Sequence, residues 1–239
     1  MPSDSAQHSN IASFDELGLI SPLLERLAEL EYQQPTPIQA QAIPSIFSGR
    51  DLIAGANTGS GKTATFALPL LQQIHESQVS RNEHRNETKG NYVTGLILVP
   101  TRELAKQVAD SIRSYAVHFN GAIKTIAVFG GVSTNKQMLA LRGGTDILVA
   151  TPGRLLDLIS SNAIKLERVK TLILDEADRM LSLGFAEELA ELLALMPKGP
   201  ESKQKQTLLF SATFPEQVQA LTAELLNDPV EIQMQSADA

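Results

Sequence analysis

The chain has 239 residues, of which 43% are hydrophobic and 20% charged, as is typical of a folded globular protein. Its 20 lysines and arginines against 27 aspartates and glutamates give a net charge of −7, which argues against nucleic-acid binding through a broad basic surface and favours local contacts instead. Cysteine is absent and no apolar run approaches the ~20 residues of a membrane span, so we expect no disulfides, no membrane insertion and a cytoplasmic location.

Short apolar runs and amphipathic stretches alternate along most of the chain. After a tail at 1–12 that we expect to be disordered, the apolar runs predict strands at 51–54, 96–99, 124–129, 146–150, 171–174, 207–210 and 230–232. Apolar residues at helical spacing predict helices at 64–74, 101–119, 153–160, 185–196 and 215–226. This alternation predicts one α/β domain at 13–234, with a mostly parallel central sheet of about seven strands and helices on both faces. Ligands of such sheets bind beyond the carboxyl ends of the strands.

One polar stretch interrupts this alternation. Residues 77–91 read SQVSRNEHRNETKGN, mix both charge signs and show no apolar period. We therefore predict a surface loop there.

The strongest chemical signal is a phosphate-binding loop between a predicted strand and a predicted helix. Its glycines let backbone N–H groups face a polyphosphate at the positive end of the helix. Lys62 is predicted to reach the β and γ phosphates, and Thr63 to bind a Mg²⁺ ion that bridges them. The predicted ATP-binding residues here are Ala56, Asn57, Thr58, Gly59, Ser60, Gly61, Lys62 and Thr63. A glycine-rich turn that only joins strand to helix is the plainer alternative.

A second signal is the acidic sequence Asp-Glu-Ala-Asp at 175–178, directly after an apolar strand. Asp175 is predicted to hold the Mg²⁺ ion, partly through water, and Glu176 to orient or deprotonate the water that attacks the γ phosphate. With Lys62, these two acids form the predicted catalytic set. Acidic residues that merely open a helix are the alternative.

Together these motifs resemble the DEAD-box RNA helicase family. The resemblance runs from about Phe14 to Met234 and rests on the phosphate loop, the Asp-Glu-Ala-Asp sequence, Pro-Thr-Arg-Glu-Leu-Ala at 100–105, Gly-Gly at 130–131, Thr-Pro-Gly-Arg at 151–154 and Ser-Ala-Thr at 211–213. It implies the RecA-like ATP-binding domain of a helicase, with ATP and Mg²⁺ as cofactors.

Upstream, Phe14 and residues 31–39 resemble the family's Q motif. By that resemblance Gln39 reads adenine, for which an amide is well suited, and Tyr32 stacks on the base. Core packing is the alternative for both aromatic rings. The family usually has glycine where this chain has Glu31, so the local backbone is in question.

Three further motifs follow strands, and the resemblance implies that they bind RNA. Hydroxyls, backbone amides and guanidinium groups suit a phosphodiester backbone of any sequence. The predicted RNA-binding residues are Thr101, Arg102, Gly130, Gly131, Thr151, Gly153 and Arg154. Without the resemblance, each segment is only a loop that ends a strand and caps a helix.

The Ser-Ala-Thr segment is implied to link the ATP site to RNA separation. Ser211 and Thr213 are expected to bond with Asp178. Capping of the following helix by the same hydroxyls is the alternative.

The family's activity requires a second domain of the same fold, which supplies arginines to the γ phosphate. We expect 235–239 to begin the linker to that domain, and this chain alone to be a nearly inactive monomer, because such arginines contribute about 10³ to 10⁵ in turnover. A stand-alone ATP-responsive module that binds RNA or protein without hydrolysis is the main alternative. A nucleotide kinase with a phosphate loop is a weaker one, since it would lack the Q motif.

Overall fold

The computed structural model describes residues 13–55, 59–82, 90–119, 123–197 and 205–234. The predicted tails at 1–12 and 235–239 lie outside these ranges. Ala56, Asn57 and Thr58 of the predicted phosphate loop also lie outside them.

Seven strands form one sheet in which every pairing is parallel. The strands are β1 Leu52–Gly55, β2 Val93–Leu98, β3 Thr125–Val128, β4 Thr145–Ala150, β5 Thr171–Leu174, β6 Gln206–Ser211 and β7 Val230–Gln233. Their order across the sheet is β3-β4-β2-β5-β6-β1-β7. The predicted α/β fold is confirmed, and the sheet is parallel throughout the described residues.

The helices are α1 Ser21–Glu29, α2 Pro37–Phe47, α3 Lys62–Asn82, α4 Arg102–Tyr115, α5 Thr134–Ala140, α6 Pro152–Ser160, α7 Ala177–Ser182, α8 Ala186–Ala194 and α9 Glu216–Leu225, with a 3-10 turn at Asp15–Leu17. In the part of the chain that the structure describes, none is long and apolar enough to cross a membrane.

Helices cover both faces of the sheet. At the central strand β2, Ile97 packs with the apolar side chains of α1 to α4, whereas its neighbours Leu96 and Leu98 pack with those of α6 to α9. Because both faces are buried, the central strands are continuous apolar runs rather than alternating ones.

The predicted loop at 77–91 is wrong in its first part. Helix α3 continues to Asn82, and near its end the Gln78 side chain donates to Asp146 at the start of β4 over 3.0 Å. A helix end held by a polar contact needs no apolar period, so the pattern of the sequence did not reveal it. Four helices, α1, α2, α5 and α7, also lie where no helix is predicted.

Since all strands are parallel, their carboxyl ends lie at one edge of the sheet. The segments that follow β1, β2, β3, β4 and β5, together with the end of β6, carry all the described predicted site residues except Tyr32 and Gln39, which precede β1. The fold therefore brings the motifs of these segments to the same edge.

Candidate active site and nucleic-acid interface

The described part of the phosphate loop forms a tight turn before α3. Gly59 and Gly61, on either side of the half-buried Ser60, both have a φ of +90°, a conformation that residues with side chains rarely adopt. Lys62 opens α3 and is 7% exposed, and the next residue, Thr63, is half-buried. The positive end of α3 therefore lies directly after this turn, as it does in sites that bind a polyphosphate.

The side chain of Gln39 packs against the same turn. Its Oε1 accepts from the backbone N–H of Thr36 at 2.9 Å, as part of a capping box at the start of α2, and its Nε2 donates to the carbonyl oxygen of Gly61 at 3.2 Å. A Cβ atom at Gly61 would lie 2.6 Å from that Nε2, so glycine is required for this contact. Gln39 is 1% exposed, and each end of its amide keeps one further hydrogen-bonding position. Its adenine-reading role stays a prediction.

Tyr32 lies at the surface beside the core. Its ring is 38% exposed, and its hydroxyl is 3.2 Å from that of Tyr115. The Phe14 ring, 6.4 Å away between centroids, is buried in the core, as the packing interpretation expects. Glu31 has a φ of 60°, so the left-handed turn persists at the position where the family usually has glycine.

Asp175 directly follows β5 and is the most deeply buried acid of the candidate site, at 3% exposure. Burial raises the pKa of its carboxyl from 3.8 to about 6, against the lowering effect of Lys62 and with a further rise from Glu176. Its Oδ1 atom is buried without a hydrogen-bond partner. A buried carboxylate oxygen without a partner is stabilised by a cation.

These residues fit a Mg²⁺ ion held jointly with phosphates. No group of three or more histidine, cysteine, aspartate or glutamate side chains within the described ranges could hold a metal by itself. Magnesium is commonly held by one or two carboxylates plus substrate phosphates. Asp175 and the hydroxyl of Thr63 supply oxygen ligands of that kind.

Glu176 adopts a strained backbone conformation directly after β5. Its φ and ψ are 54° and 51°, in the left-handed region, and it forms the N-cap of α7. Its carboxylate accepts from Nη1 of Arg179 at 3.1 Å. Strain of this kind concentrates at functional sites, and the ion pair fixes the direction of the carboxylate.

Asp178 and the Ser-Ala-Thr segment are in direct contact. The Oδ2 atom of Asp178 accepts from Thr213 Oγ1 at 2.7 Å and from the Thr213 backbone N–H at 2.9 Å, while Ser211 Oγ accepts from the Asp178 N–H at 3.3 Å. Burial raises the pKa of Asp178, but these hydrogen bonds outweigh it and leave the pKa below the ordinary value. The alternative that these hydroxyls cap α9 is wrong, because its N-cap is Pro215 and has no side-chain cap.

A cleft of about 480 Å³ opens where β2, β3 and β4 end. It is lined by Pro100, Arg102, Glu103, Gly130, Thr151, Gly153, Arg154 and Phe185, and we call it the arginine cleft. Five of the seven predicted RNA-binding residues are therefore brought together there. Of the other two, Gly131 lies beside Arg102, with its Cβ position 3.3 Å from Nη1, and Thr101 caps α4 by accepting from the N–H of Leu104 at 3.2 Å.

The two arginines of this cleft are held by their own loops. Arg154 is 11% exposed in its side chain, donates to the carbonyl oxygen of Val132 at 3.0 Å and lies 3.4 Å from a carboxylate oxygen of Asp157. Arg102 donates to the carboxylate of Glu103 at 3.2 Å. Both guanidinium groups are thus positioned before any ligand arrives, which suits contact with phosphates.

Comparison with known proteins agrees with this geometry. The family model described as DEAD/DEAH box helicase matches residues 36–221. The chain belongs to this family.

Relatives of this helicase family cover nearly the whole chain. The ATP-dependent RNA helicase DeaD of Escherichia coli (strain K12) is 42% identical over 225 residues, which are 94% of this chain and 33% of that protein. The DEAD-box ATP-dependent RNA helicase 52A of Oryza sativa subsp. japonica is 38% identical over 219 residues, 90% of this chain and 36% of the relative. The crystal structure of a DEAD box protein from the hyperthermophile Methanococcus jannaschii superimposes with a TM-score of 0.78 at 36% identity, over 94% of this chain and 56% of that one. The chain spans about a third of the curated relatives' length.

Two residues that the sequence analysis missed contact the candidate site. Arg179 donates to the Glu176 carboxylate. The spacing of three residues between the two is the sequence signal that could have revealed this ion pair. Phe185 lines the arginine cleft. Its position follows Gly184, whose φ of +90° reverses the chain before α8. That reversal is a three-dimensional feature, so the apolar pattern alone does not point to a cleft.

Proposed function

We propose that this chain is the ATP- and RNA-binding domain of an ATP-dependent RNA helicase. In the whole protein, ATP hydrolysis is coupled to local separation of RNA strands. The observation that most directly supports this is that one sheet edge carries the turn before α3, the buried Asp175 and the arginine cleft. A phosphate-binding half and a phosphodiester-binding half thus share one rigid framework.

In the nucleotide half, Lys62 neutralises the β and γ phosphates. Asp175 and Thr63 would hold a Mg²⁺ ion, which when bound offsets the charge that develops on the transferred phosphoryl group. Glu176, held by Arg179, accepts a proton from the attacking water as its oxygen bonds to the γ phosphorus and ADP leaves. Gln39 selects adenine through the hydrogen-bonding positions that Thr36 and Gly61 leave open, and Tyr32 stacks on the base.

In the RNA half, Arg102 and Arg154 contact phosphates of the strand. The backbone amides of the Gly130 and Gly131 turn and the start of α6 at Thr151 and Gly153 add donors that do not distinguish bases. Recognition is therefore of the RNA backbone and not of its sequence.

Asp178 links the two halves. It follows the catalytic acids directly and binds Thr213 through two hydrogen bonds. A shift of the acids on nucleotide binding is thereby passed to the Ser-Ala-Thr segment, and from there to the surface that carries RNA.

Full activity requires a second RecA-like domain. The relatives are about three times as long as the part this chain matches, and arginines from a second domain would contribute about 10³ to 10⁵ in turnover. We therefore propose that this chain binds ATP but hydrolyses it slowly. RNA-stimulated turnover by this chain at the rate of a whole helicase would refute that.

We further propose that the chain is a monomer of the cytoplasm. The large exposed apolar side chains of the described ranges, such as Val117, Leu139 and Leu195, are separated along the chain, and scattered single residues of this kind are ordinary for a monomer. Sedimentation equilibrium measures the mass, and a dimer would contradict this proposal.

The function is tested by Glu176→Gln in the whole protein. Phosphate release in the presence of RNA is expected to fall by about a hundredfold or more, because the water loses its base, while ATP affinity is retained. The exposed acid Glu187 of α8 provides the control variant Glu187→Gln, for which we expect unchanged turnover. Hydrolysis that persists in Glu176→Gln would refute the assigned role.

A further inference from the structure

The edge of the sheet opposite the active site carries a row of exposed cations. Lys124 directly precedes β3, Arg142 precedes β4, and Lys165, Arg168 and Lys170 precede β5. All of them are exposed. Because the sheet order begins β3-β4-β2-β5 and neighbouring strands lie ~4.8 Å apart, these cations extend across roughly 15 Å. We call them the basic row.

Among the described segments that carry the basic row, acidic residues are few. The carboxylate of Asp146 accepts from the backbone N–H of Lys124 at 2.8 Å and from Gln78 at 3.0 Å. In the described segments 123–124, 141–146 and 163–170, the one exposed acid is Glu167. A local positive excess thus stands out on a chain whose net charge is −7, and it attracts polyanions.

The basic row is held in a defined arrangement around Tyr92 at the start of β2. The guanidinium carbon of Arg168 lies 4.0 Å from the centre of the Tyr92 ring, and Nζ of Lys165 lies 6.0 Å from it. The turn that carries Arg142 packs closely here, since a Cβ atom at Gly144 would lie 2.6 Å from the carbonyl oxygen of Tyr92. These contacts position Arg168 and Lys165 before a ligand binds.

A second cleft, of about 420 Å³, opens beside the row. It is lined by Asn91, Asn135, Met138, Leu139, Arg142, Ser161, Asn162 and Ala163, and we call it the amide cleft. Its size falls within the range of small-molecule sites, which is about 300 to 1,000 Å³. Three amide side chains, one cation and an apolar part suit a nucleobase with its phosphate.

Helices α5 and α6 connect the amide cleft to the arginine cleft. Both begin at the carboxyl edge, where Arg154 of α6 donates to the carbonyl oxygen of Val132, just before α5, at 3.0 Å. Residues at or just beyond the ends of both helices line the amide cleft. Helix α6 has nine residues, so the path from one cleft to the other measures about 14 Å.

We propose that the basic row and the amide cleft form a second RNA-binding surface, for single-stranded RNA that extends beyond the arginine cleft. Lysines and arginines contact phosphates, and the amides of Asn91, Asn135 and Asn162 contact base edges. An acidic peptide is the weaker candidate, because the amide cleft offers it one cation, Arg142, and otherwise neutral or apolar groups. This inference rests on the proposed function only in that RNA crosses the arginine cleft.

The experiment compares two fluorescent oligouridylates, of about 5 and about 16 nucleotides, by anisotropy on this chain. The shorter RNA covers the arginine cleft alone, whereas the longer one reaches the basic row. In the double variant Arg142→Gln/Lys170→Gln, affinity for the longer RNA is expected to fall roughly tenfold and the slope of log K against log salt to decrease by about 1.4, since each phosphate contact of a single strand contributes ~0.7. Affinity for the shorter RNA is expected to stay unchanged.

Arg50 provides the matched control. It is an exposed cation on the same edge, before β1 at the far end of the sheet, and it pairs with Asp228 at 3.4 Å. Arg50→Gln is expected to bind both RNAs as the parent chain does. A loss equal to that of the double variant would overturn the assignment to the basic row.

The outcomes separate this inference from the proposed function. If neither RNA binds, the proposed function fails and the inference fails with it. If the short RNA binds and depends on Arg154, but the double variant leaves the long RNA unaffected, the inference alone is overturned. Polyglutamate that binds the parent chain and not the double variant, with RNA binding unaltered, would assign the surface to an acidic protein instead.

Discussion

The carboxyl edge of the sheet has two halves with opposite chemistry. Where β1, β5 and β6 end, the chain places three carboxylates and the buried Lys62, and it leaves Oδ1 of Asp175 without a partner. Where β2, β3 and β4 end, it places hydroxyls, glycine amides and arginines whose guanidinium groups are already held by neighbouring oxygens.

This difference indicates what each half requires from its ligand. An unsatisfied buried carboxylate is stabilised when a cation and its phosphates arrive, so the nucleotide half gains most from binding. Preorganised donors lose little freedom when a phosphodiester docks, so the RNA half serves as a fixed surface. The bond between Asp178 and Thr213 lies within the nucleotide half, and the proposed coupling runs from this bond to the RNA half.

The largest effect expected is on the nucleotide half alone. In Lys62→Ala, ATP affinity should fall by roughly a hundredfold, since a hydrogen bond to a charged group contributes about 1.5–3 kcal/mol. RNA affinity should not change. Calorimetry with ATP and anisotropy with RNA measure the two separately.

The matched control is Lys106→Ala, whose Nζ lies 5.3 Å from the centre of the Phe129 ring in the RNA half. It should leave ATP affinity unchanged. If both lysine variants weakened ATP binding equally, the division into two halves would not hold.

The pH dependence of stability tests the buried acid. The pKa of Asp175 is raised from 3.8 to about 6 in the folded chain, so the fold binds the proton more tightly than the unfolded chain does. The free energy of unfolding without ligand should therefore fall by about 2–3 kcal/mol as pH rises between these values, and then level off. Urea unfolding at about pH 5 and about pH 8 measures about half of this change, because pH 5 lies roughly midway between the two pKa values.

Asp175→Asn provides the comparison, because an amide does not titrate in this range. Between the two pH values, the variant should lose less free energy of unfolding than the parent chain, and the difference is the contribution of Asp175. An identical pH dependence in the parent chain and in the variant would show that this carboxyl carries no raised pKa.

A smaller effect, confined to the RNA half, is expected for Arg154→Ala. Loss of one charge-assisted phosphate contact should reduce RNA affinity by about tenfold and leave ATP affinity as it is. Anisotropy with a short single-stranded RNA measures this. Reduced ATP binding in this variant would indicate that the two halves are not separate sites.

The smallest effect is expected for the hydrogen bond between Thr213 and Asp178. Thr213→Val removes the hydroxyl that donates to Asp178 over 2.7 Å while keeping a similar shape. Stability should fall by about 1 kcal/mol, and each ligand alone should bind as before. In the whole protein, the stimulation of ATP hydrolysis by RNA should decrease, and full stimulation would contradict the coupling role of this bond.

Much of this arrangement could be predicted from the sequence. Apolar runs of four or five residues at 96–99, 146–150, 171–174 and 207–210 are too short for buried helices, and parallel strands bring the segments that follow them to one edge. Contact between Asp178 and Thr213 follows from the same reasoning once their strands, β5 and β6, are neighbours.

Other features depend on tertiary contacts that leave no pattern in the sequence. The sheet places β6 between β5 and β1, because crossover connections and not chain order decide which strands pair. Gln39 caps α2 and donates to the carbonyl oxygen of Gly61. Because a glutamine side chain suits these structural roles and adenine recognition equally well, the sequence alone does not tell them apart. The basic row forms because residues distant in sequence precede β3, β4 and β5, which lie within one half of the sheet, so the negative net charge of the whole chain conceals it.

The most direct test of the account is calorimetric titration of this chain with ATP, ADP and GTP in the presence of Mg²⁺. If the half formed by β1, β5 and β6 binds an adenine nucleotide, ATP and ADP should bind and GTP should bind more weakly or not at all. The preference should be reduced in Gln39→Ala, and the affinity for ATP should fall roughly a hundredfold in Lys62→Ala. Equal affinity for GTP and ATP, or an ATP affinity that Lys62→Ala leaves unchanged, would contradict the central claim.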